Sequence, residues 1–282
     1  MLMRRPCFFA EEEWKTVPWA LDPESKSQQN HLTDILVDVP GLLAEDEARK
    51  EHDSLAIRVH LRERVQRTLF ALYCWRYKWE IANPDAVWET TPVPSIAKSR
   101  VIQPYLNFKI HEQAAEIQLY NVILLFLLGL FSGLAGPEVP PFDLLYETAV
   151  VAAKASNYPI SKPGPCTSTL AQGTTTPLDL PHDDITCRTA AVEIIRAFEF
   201  QMTDLNSTTS SLYFIFPLGT AYEVLKEDPE YRAWMRTLLD AAPVTNKYVA
   251  AGRNRHVIPS NFHFCALVHC LLVLGSSADY IS

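Results

Sequence analysis

Tyr120-Asn121-Val122-Ile123-Leu124-Leu125-Phe126-Leu127-Leu128-Gly129-Leu130-Phe131 is the stretch on which the fold turns. It continues a segment from Asn107 that is polar at first, through Lys109, His111, Glu112, Gln113 and Glu116, and then almost wholly apolar to Leu134. A helix that is apolar all round belongs in the middle of a core, so a central helix is expected over 107–134. The apolar run itself, Val122 to Leu134, is about 13 residues, short of the roughly 20 that span a bilayer. Phe262 to Leu274 is a second run of the same kind, and both read as buried core helices.

The flanks carry amphipathic partners. From Asp53 to Ile81, Leu55, Val59, Leu61, Val65, Leu69, Leu72 and Tyr73 recur at helical spacing, interleaved with Arg58, Arg62, Glu63, Arg64 and Arg67. This predicts a long helix with a basic outer face, ended by Asn83-Pro84 because proline disfavours helical geometry in the residue before it. Leu32, Ile35, Leu36 and Val39 predict a short helix that Pro40-Gly41 interrupts. Further helices are expected at about 142–156, along Ile194, Ile195, Phe198 and Met202, from Ser207 through Leu225 with Pro217 as a kink or first-turn residue, and over 231–239. No run alternates with period two for long enough to suggest a sheet. The expectation is an all-α fold, a single helical domain over 1–282 built around apolar central helices, with a flexible loop at 157–183 rich in Ser, Thr and Pro.

Composition narrows the function. Hydrophobic residues make up 48% and charged residues 21%, an ordinary globular balance. Nine glycines and the absence of GxGxxG or GxxxxGK[ST] argue against a dinucleotide or P-loop enzyme, and no GxSxG supports a hydrolase. The net charge of −8 repels phosphate, so no direct nucleic-acid contact is expected. Six cysteines without a CxxC pair suit reduced thiols, and the short apolar N-terminus lacks a secretory core, so an intracellular site, cytoplasmic or nuclear, is expected, with no membrane span.

Several strings, in order, resemble a known family. Phe8-Phe9-Ala10, Glu13-Trp14-Lys15-Thr16-Val17-Pro18-Trp19, Leu32 to Leu36 and Val39-Pro40-Gly41-Leu42-Leu43 are similar to the opening of the C-terminal regulatory domain of fungal zinc binuclear-cluster transcription factors. Tyr120 to Leu125, Val192-Glu193-Ile194-Ile195-Arg196-Ala197-Phe198-Glu199 and Phe216-Pro217-Leu218-Gly219-Thr220-Ala221-Tyr222 resemble that family's later blocks. The family reads DNA through an N-terminal six-cysteine cluster holding two zinc ions. This sequence opens inside the regulatory region and contains no such cluster, so DNA binding in the family's manner is not expected. The resemblance implies a helical domain that senses a small molecule or contacts a protein partner, with an apolar cavity between helices carrying a few polar groups.

Two functional classes follow. One is a stand-alone small-molecule-binding relative of such a regulatory domain, sensing an apolar ligand or acting through a partner. The other is a cofactor-independent cyclase or isomerase of pericyclase type, in which the cavity folds an apolar substrate for natural-product biosynthesis by orientation and preorganised polar contacts. For the second, His182 and Asp184 in His182-Asp183-Asp184 are the candidate catalytic pair, a histidine oriented by a carboxylate. Helix capping by Asp183 or Asp184 explains the same cluster. Trp75 and Trp79, beside Arg76 and Lys78, offer aromatic faces, and with Phe214, Phe216 and Arg196 they are the candidate ligand contacts.

Other clusters have plainer readings. Glu193, Arg196 and Glu199 at i, i+3 and i+6 suit pairing along a helix surface. Gly252-Arg253-Asn254-Arg255-His256 is a small basic loop. His263, Cys265, His269 and Cys270 divide between two helix faces, which does not make a four-ligand zinc site. No metal and no cofactor is expected.

Overall fold

The structure is a computed structural model that describes residues 5–90, 104–134, 143–155, 177–179, 185–202 and 210–241. These are mostly helical, as an all-α chain requires, with one two-stranded sheet that the sequence pattern did not foretell. The chain folds as two compact units. Among the described residues the first takes 5–79 and 126–155, and the second takes 80–125, 177–179, 185–202 and 210–241.

The first unit opens with a strap of short turns: Phe8–Ala10, the five-residue helix α1 (Glu12–Thr16), Val17–Trp19 and Pro23–Ser25. Ser27 then caps α2 (Gln28–Leu36), its hydroxyl oxygen accepting from the Asn30 backbone N–H at 3.1 Å. Pro40 does not simply end a helix here. A proline inside a helix lacks the N–H and its ring strikes the carbonyl four residues back, so α2 stops and α3 (Val39–Glu51) starts anew with Pro40 in its first turn.

The long amphipathic segment forms α4 (Leu55–Ala82), whose Leu61, Val65, Leu69, Leu72, Trp75 and Trp79 are buried. Arg64 pairs with Glu45 of α3, so part of the basic face is occupied within the unit. From α6 (Asp143–Ala155), Tyr146 meets Tyr73 edge to face at 5.9 Å, and the Ala149 carbonyl accepts the Cys74 thiol at 3.3 Å. Burial raises the Cys74 thiol above its ordinary value, which disfavours the thiolate.

His31 on α2 is held down to about 4 from an ordinary 6.5, first by burial and then by the Lys26 and Lys78 ammonium groups. A depressed histidine binds its proton more readily in the unfolded chain, so stability falls as pH drops from 6.5 toward 4. Asp34, raised by burial, opposes this at the acid end. The expected result is a urea midpoint that declines between about pH 7 and 5, with most of the decline removed by His31→Gln.

In the second unit the chain turns at Asp85, which adopts a positive φ of 61° that aspartate tolerates better than most residues. β1 (Val87–Thr90) and β2 (Tyr105–Phe108) pair antiparallel, Val87 opposite Phe108 and Thr90 opposite Tyr105. Leu106 and Phe108 are buried, and β2 packs on α7 (Cys187–Met202). Phe108 meets the Phe200 ring of α7 at 5.6 Å. α8 (Ser210–Leu225) packs on α7 and on α9 (Pro229–Ala241), and holds Pro217 inside it.

The apolar run is the later part of α5 (His111–Gly133), which begins later than expected because Tyr105–Phe108 is strand. Among the described residues, α5 is the one helix long and apolar enough to cross a membrane by length and composition. Of that apolar window 78% is buried inside the molecule, as in a core helix.

Candidate functional site

The second unit buries polar groups on the same helix that supplies its apolar core. On α5, Gln118 and Asn121 lie three residues apart and therefore on one face, among the fully buried Ala114, Ile117 and Val122. Polar side chains in such surroundings are costly unless hydrogen-bonded. Asn121 meets this demand through α7: its Nδ2 donates to Glu193 Oε1 at 2.7 Å. The second oxygen of Glu193 accepts the Asp179 backbone N–H at 2.6 Å.

Glu193 is 1% exposed, so the sequence reading of it as a member of a surface ion-pair row needs correction. Ala190 and Ala197, three before it and four after it, are small enough to let the carboxylate sit against neighbouring elements, and both are buried. Arg196 reaches off the helix. Its Nε donates to the Pro104 carbonyl at 3.0 Å, and its guanidinium pairs with Glu89 of β1, which fastens the hairpin to α7. A fork of donors suits this double task.

Gln118 is different. It is 1% exposed, and among the described residues neither its Oε1 nor its Nε2 has a hydrogen-bond partner. A carboxamide offers a donor and an acceptor side by side, and leaving such a group unsatisfied costs about 1–3 kcal/mol. Nearby on the same helix, Gln113 Nε2 donates to Asn83 Oδ1 at 2.9 Å while its own Oε1 has no partner. Near the start of α5, His111 faces the Phe200 ring at 4.8 Å.

The other sequence candidates fall elsewhere. His182 and Asp184 lie outside the described residues, as do Asp183, most of the 157–183 loop, the 252–256 basic loop and the His263 to Cys270 group. Trp75 and Trp79 belong to the first unit, both buried, their ring centroids 6.5 Å apart. The Trp75 indole N–H donates to the Gln28 carbonyl at 2.8 Å, so its polar atom already serves the first turn of α2. Phe216 is partly buried on α8, and the Phe214 side chain is outside what is described. Arg196 lies in the second unit, where its side chain engages the Pro104 carbonyl and Glu89 and not the Asn121–Glu193 pair.

Sequence reasoning passed over Gln118 and Asn121. The signal was present: two amides set into a segment turning wholly apolar are a demand for buried partners. Among the described residues no three His, Cys, Asp or Glu side chains gather as a metal-holding group. Compared with protein-family models, with curated proteins and with solved structures, the chain matches none.

Proposed function

We propose that the chain is a small-molecule-binding relative of a fungal transcription-factor regulatory domain, acting in regulation by sensing an apolar ligand or through a partner. The order of the sequence blocks supports this, together with the mostly helical fold and the absence of any six-cysteine DNA-reading cluster within these 282 residues. The observation that carries it is the buried Gln118 carboxamide with both polar atoms unsatisfied, beside the Asn121–Glu193 bond. A ligand that is mostly apolar and bears an adjacent donor and acceptor, such as an amide or a hydroxy-ketone, would satisfy that carboxamide.

Gln118→Leu separates ligand recognition from mere packing. Removing an unsatisfied buried amide is expected to stabilise the ligand-free chain by about 1–3 kcal/mol in urea unfolding. The same substitution should abolish retention of a ligand. To test this, the purified chain is equilibrated with a small-molecule extract of the producing organism and recovered, and the bound compounds are identified by chromatography with mass detection. A compound held by the parent chain and lost in Gln118→Leu supports the reading. Equal retention by both overturns the site, and retention by neither overturns the reading. Loss of an extract component with growth of an isobaric or dehydrated product would instead establish the cyclase or isomerase, whose candidate His182 and Asp184 would then be substituted in turn.

A further inference from the structure

The strap that opens the first unit, taken from Cys7 to Lys26, is fastened unevenly. Its backbone hydrogen bonds close within it, Ala10 on Cys7, Trp14 on Glu11, Ala20 on Val17 and Ser25 on Asp22. Cys7 and Phe9 are buried at its start, but from Ala10 to Lys26 no residue is fully buried, and Trp14, Val17 and Leu21 are exposed. Apolar burial therefore contributes little to holding this stretch down, and a segment with few buried contacts opens at low free energy.

Charge supplies the fastening. Lys15 Nζ donates to Asp38, which precedes α3, at 2.8 Å. Lys26 does more: its ammonium pairs with Asp34 of α2, donates to the Lys15 carbonyl of α1 at 2.8 Å and lies 5.9 Å from the Trp19 ring centre. One cation thus gathers three parts of the strap onto a single carboxylate. The Lys15 and Lys26 side chains are 17% and 11% exposed, so solvent weakens these pairs less than it would on an open surface.

A second base stands beside that carboxylate. His31 precedes Asp34 by three residues on α2, which places the two on one face, one turn apart. The charged groups around the two are Lys26 and Lys15 of the strap, Asp38 before α3 and Lys78 of α4. While His31 is neutral, Asp34 is held by Lys26. A protonated His31 puts a second cation against Lys26 and offers Asp34 a partner from its own helix.

We propose that His31 and Lys26 compete for Asp34, so that protonation of His31 releases Lys26 and lets the strap lift from α2 while the rest of the unit stays folded. The direction follows from linkage. Burial first, and Lys26 second, hold His31 down to about 4, so with Lys26 gone the histidine binds its proton more readily. Acidification from about 6.5 toward 4 therefore favours the lifted strap. Asp34, raised by burial, keeps its proton more readily while covered and limits the effect at the acid end.

Amide hydrogen exchange of the full chain, corrected for the intrinsic rate at each pH, tests this. The Trp14 and Ala20 N–H groups report the strap, and those of Val65 and Leu69 in α4 report global unfolding. Between pH 7 and 5, strap exchange is expected to accelerate about five- to tenfold relative to α4. His31→Gln should abolish that acceleration. Lys26→Met should speed strap exchange at pH 7 by about tenfold, leave it little pH dependence and keep it ahead of α4. Strap amides that exchange in step with α4 at every pH overturn the proposal, because the strap then leaves only when the unit unfolds. An acceleration that survives His31→Gln overturns it too, as does strap exchange in Lys26→Met that stays as slow as in the parent at pH 7.

Discussion

Glu193→Leu is expected to lower the unfolding free energy by about 2–4 kcal/mol, the cost of leaving one buried and one part-buried donor without their acceptor. Those donors are the Asn121 side-chain amide and the Asp179 backbone N–H, both within 2.7 Å of the carboxylate. Leucine keeps much of the volume, so the loss reports the hydrogen bonds and not a cavity. Adding Asn121→Leu should return part of the loss, because an apolar pair no longer strands the side-chain amide, whereas the Asp179 N–H stays unsatisfied. A coupling of about 0.5–3 kcal/mol in this double-mutant cycle, measured by urea unfolding, would establish the bond. Additive or neutral effects would show that the carboxylate is not engaged as the geometry has it.

Trp75→Ala is expected to cost about 3–5 kcal/mol, the usual loss for emptying a buried indole site. Trp75 is 4% exposed and lies beside Trp79, which is 1% exposed. Trp75→Phe keeps an aromatic ring but removes the donor to the Gln28 carbonyl, and should cost roughly 1–2 kcal/mol. Circular dichroism is the suitable probe, since either change alters tryptophan fluorescence directly. A small loss from alanine would mean that the indole is not part of the packing that joins α2 to α4, and would return it to the candidate ligand contacts.

The helices legible in the sequence are those whose pattern repeats many times. α4 declares itself through Leu61, Val65, Leu69 and Leu72, and Asn83-Pro84 marks its end within a residue or two. The hairpin was hidden because Val87–Thr90 and Tyr105–Phe108 are four residues each, too short for alternation to stand out. Pro40, whose place in the sequence marks a stop, is also a start, since a first-turn proline lacks only an N–H that would be free anyway.

The polar site was the least legible part, and for a physical reason. Glu193, Arg196 and Glu199 have the spacing of a surface row, and spacing within one helix carries no information about what packs across from it. The partner of Glu193 is Asn121, 72 residues earlier, and that of Arg196 is Glu89, 107 residues earlier. What could be inferred locally was the need: an amide among Ile117, Val122 and Ile123 must find a partner, though not which one.

The proline that separates α2 from α3 also limits how this unit can respond to anything it binds. Two adjacent helices joined by a short break can in many proteins straighten into one continuous rod, which lengthens a lever and carries a signal along it. Here the ring of Pro40 would have to occupy a helix interior for α2 and α3 to merge, at a cost of about 3 kcal/mol or more. That cost opposes merging without forbidding it, since α8 carries Pro217 in its interior. Beyond the break α3 is tied to α4 by the Glu45–Arg64 pair, so straightening would also have to act against that tie.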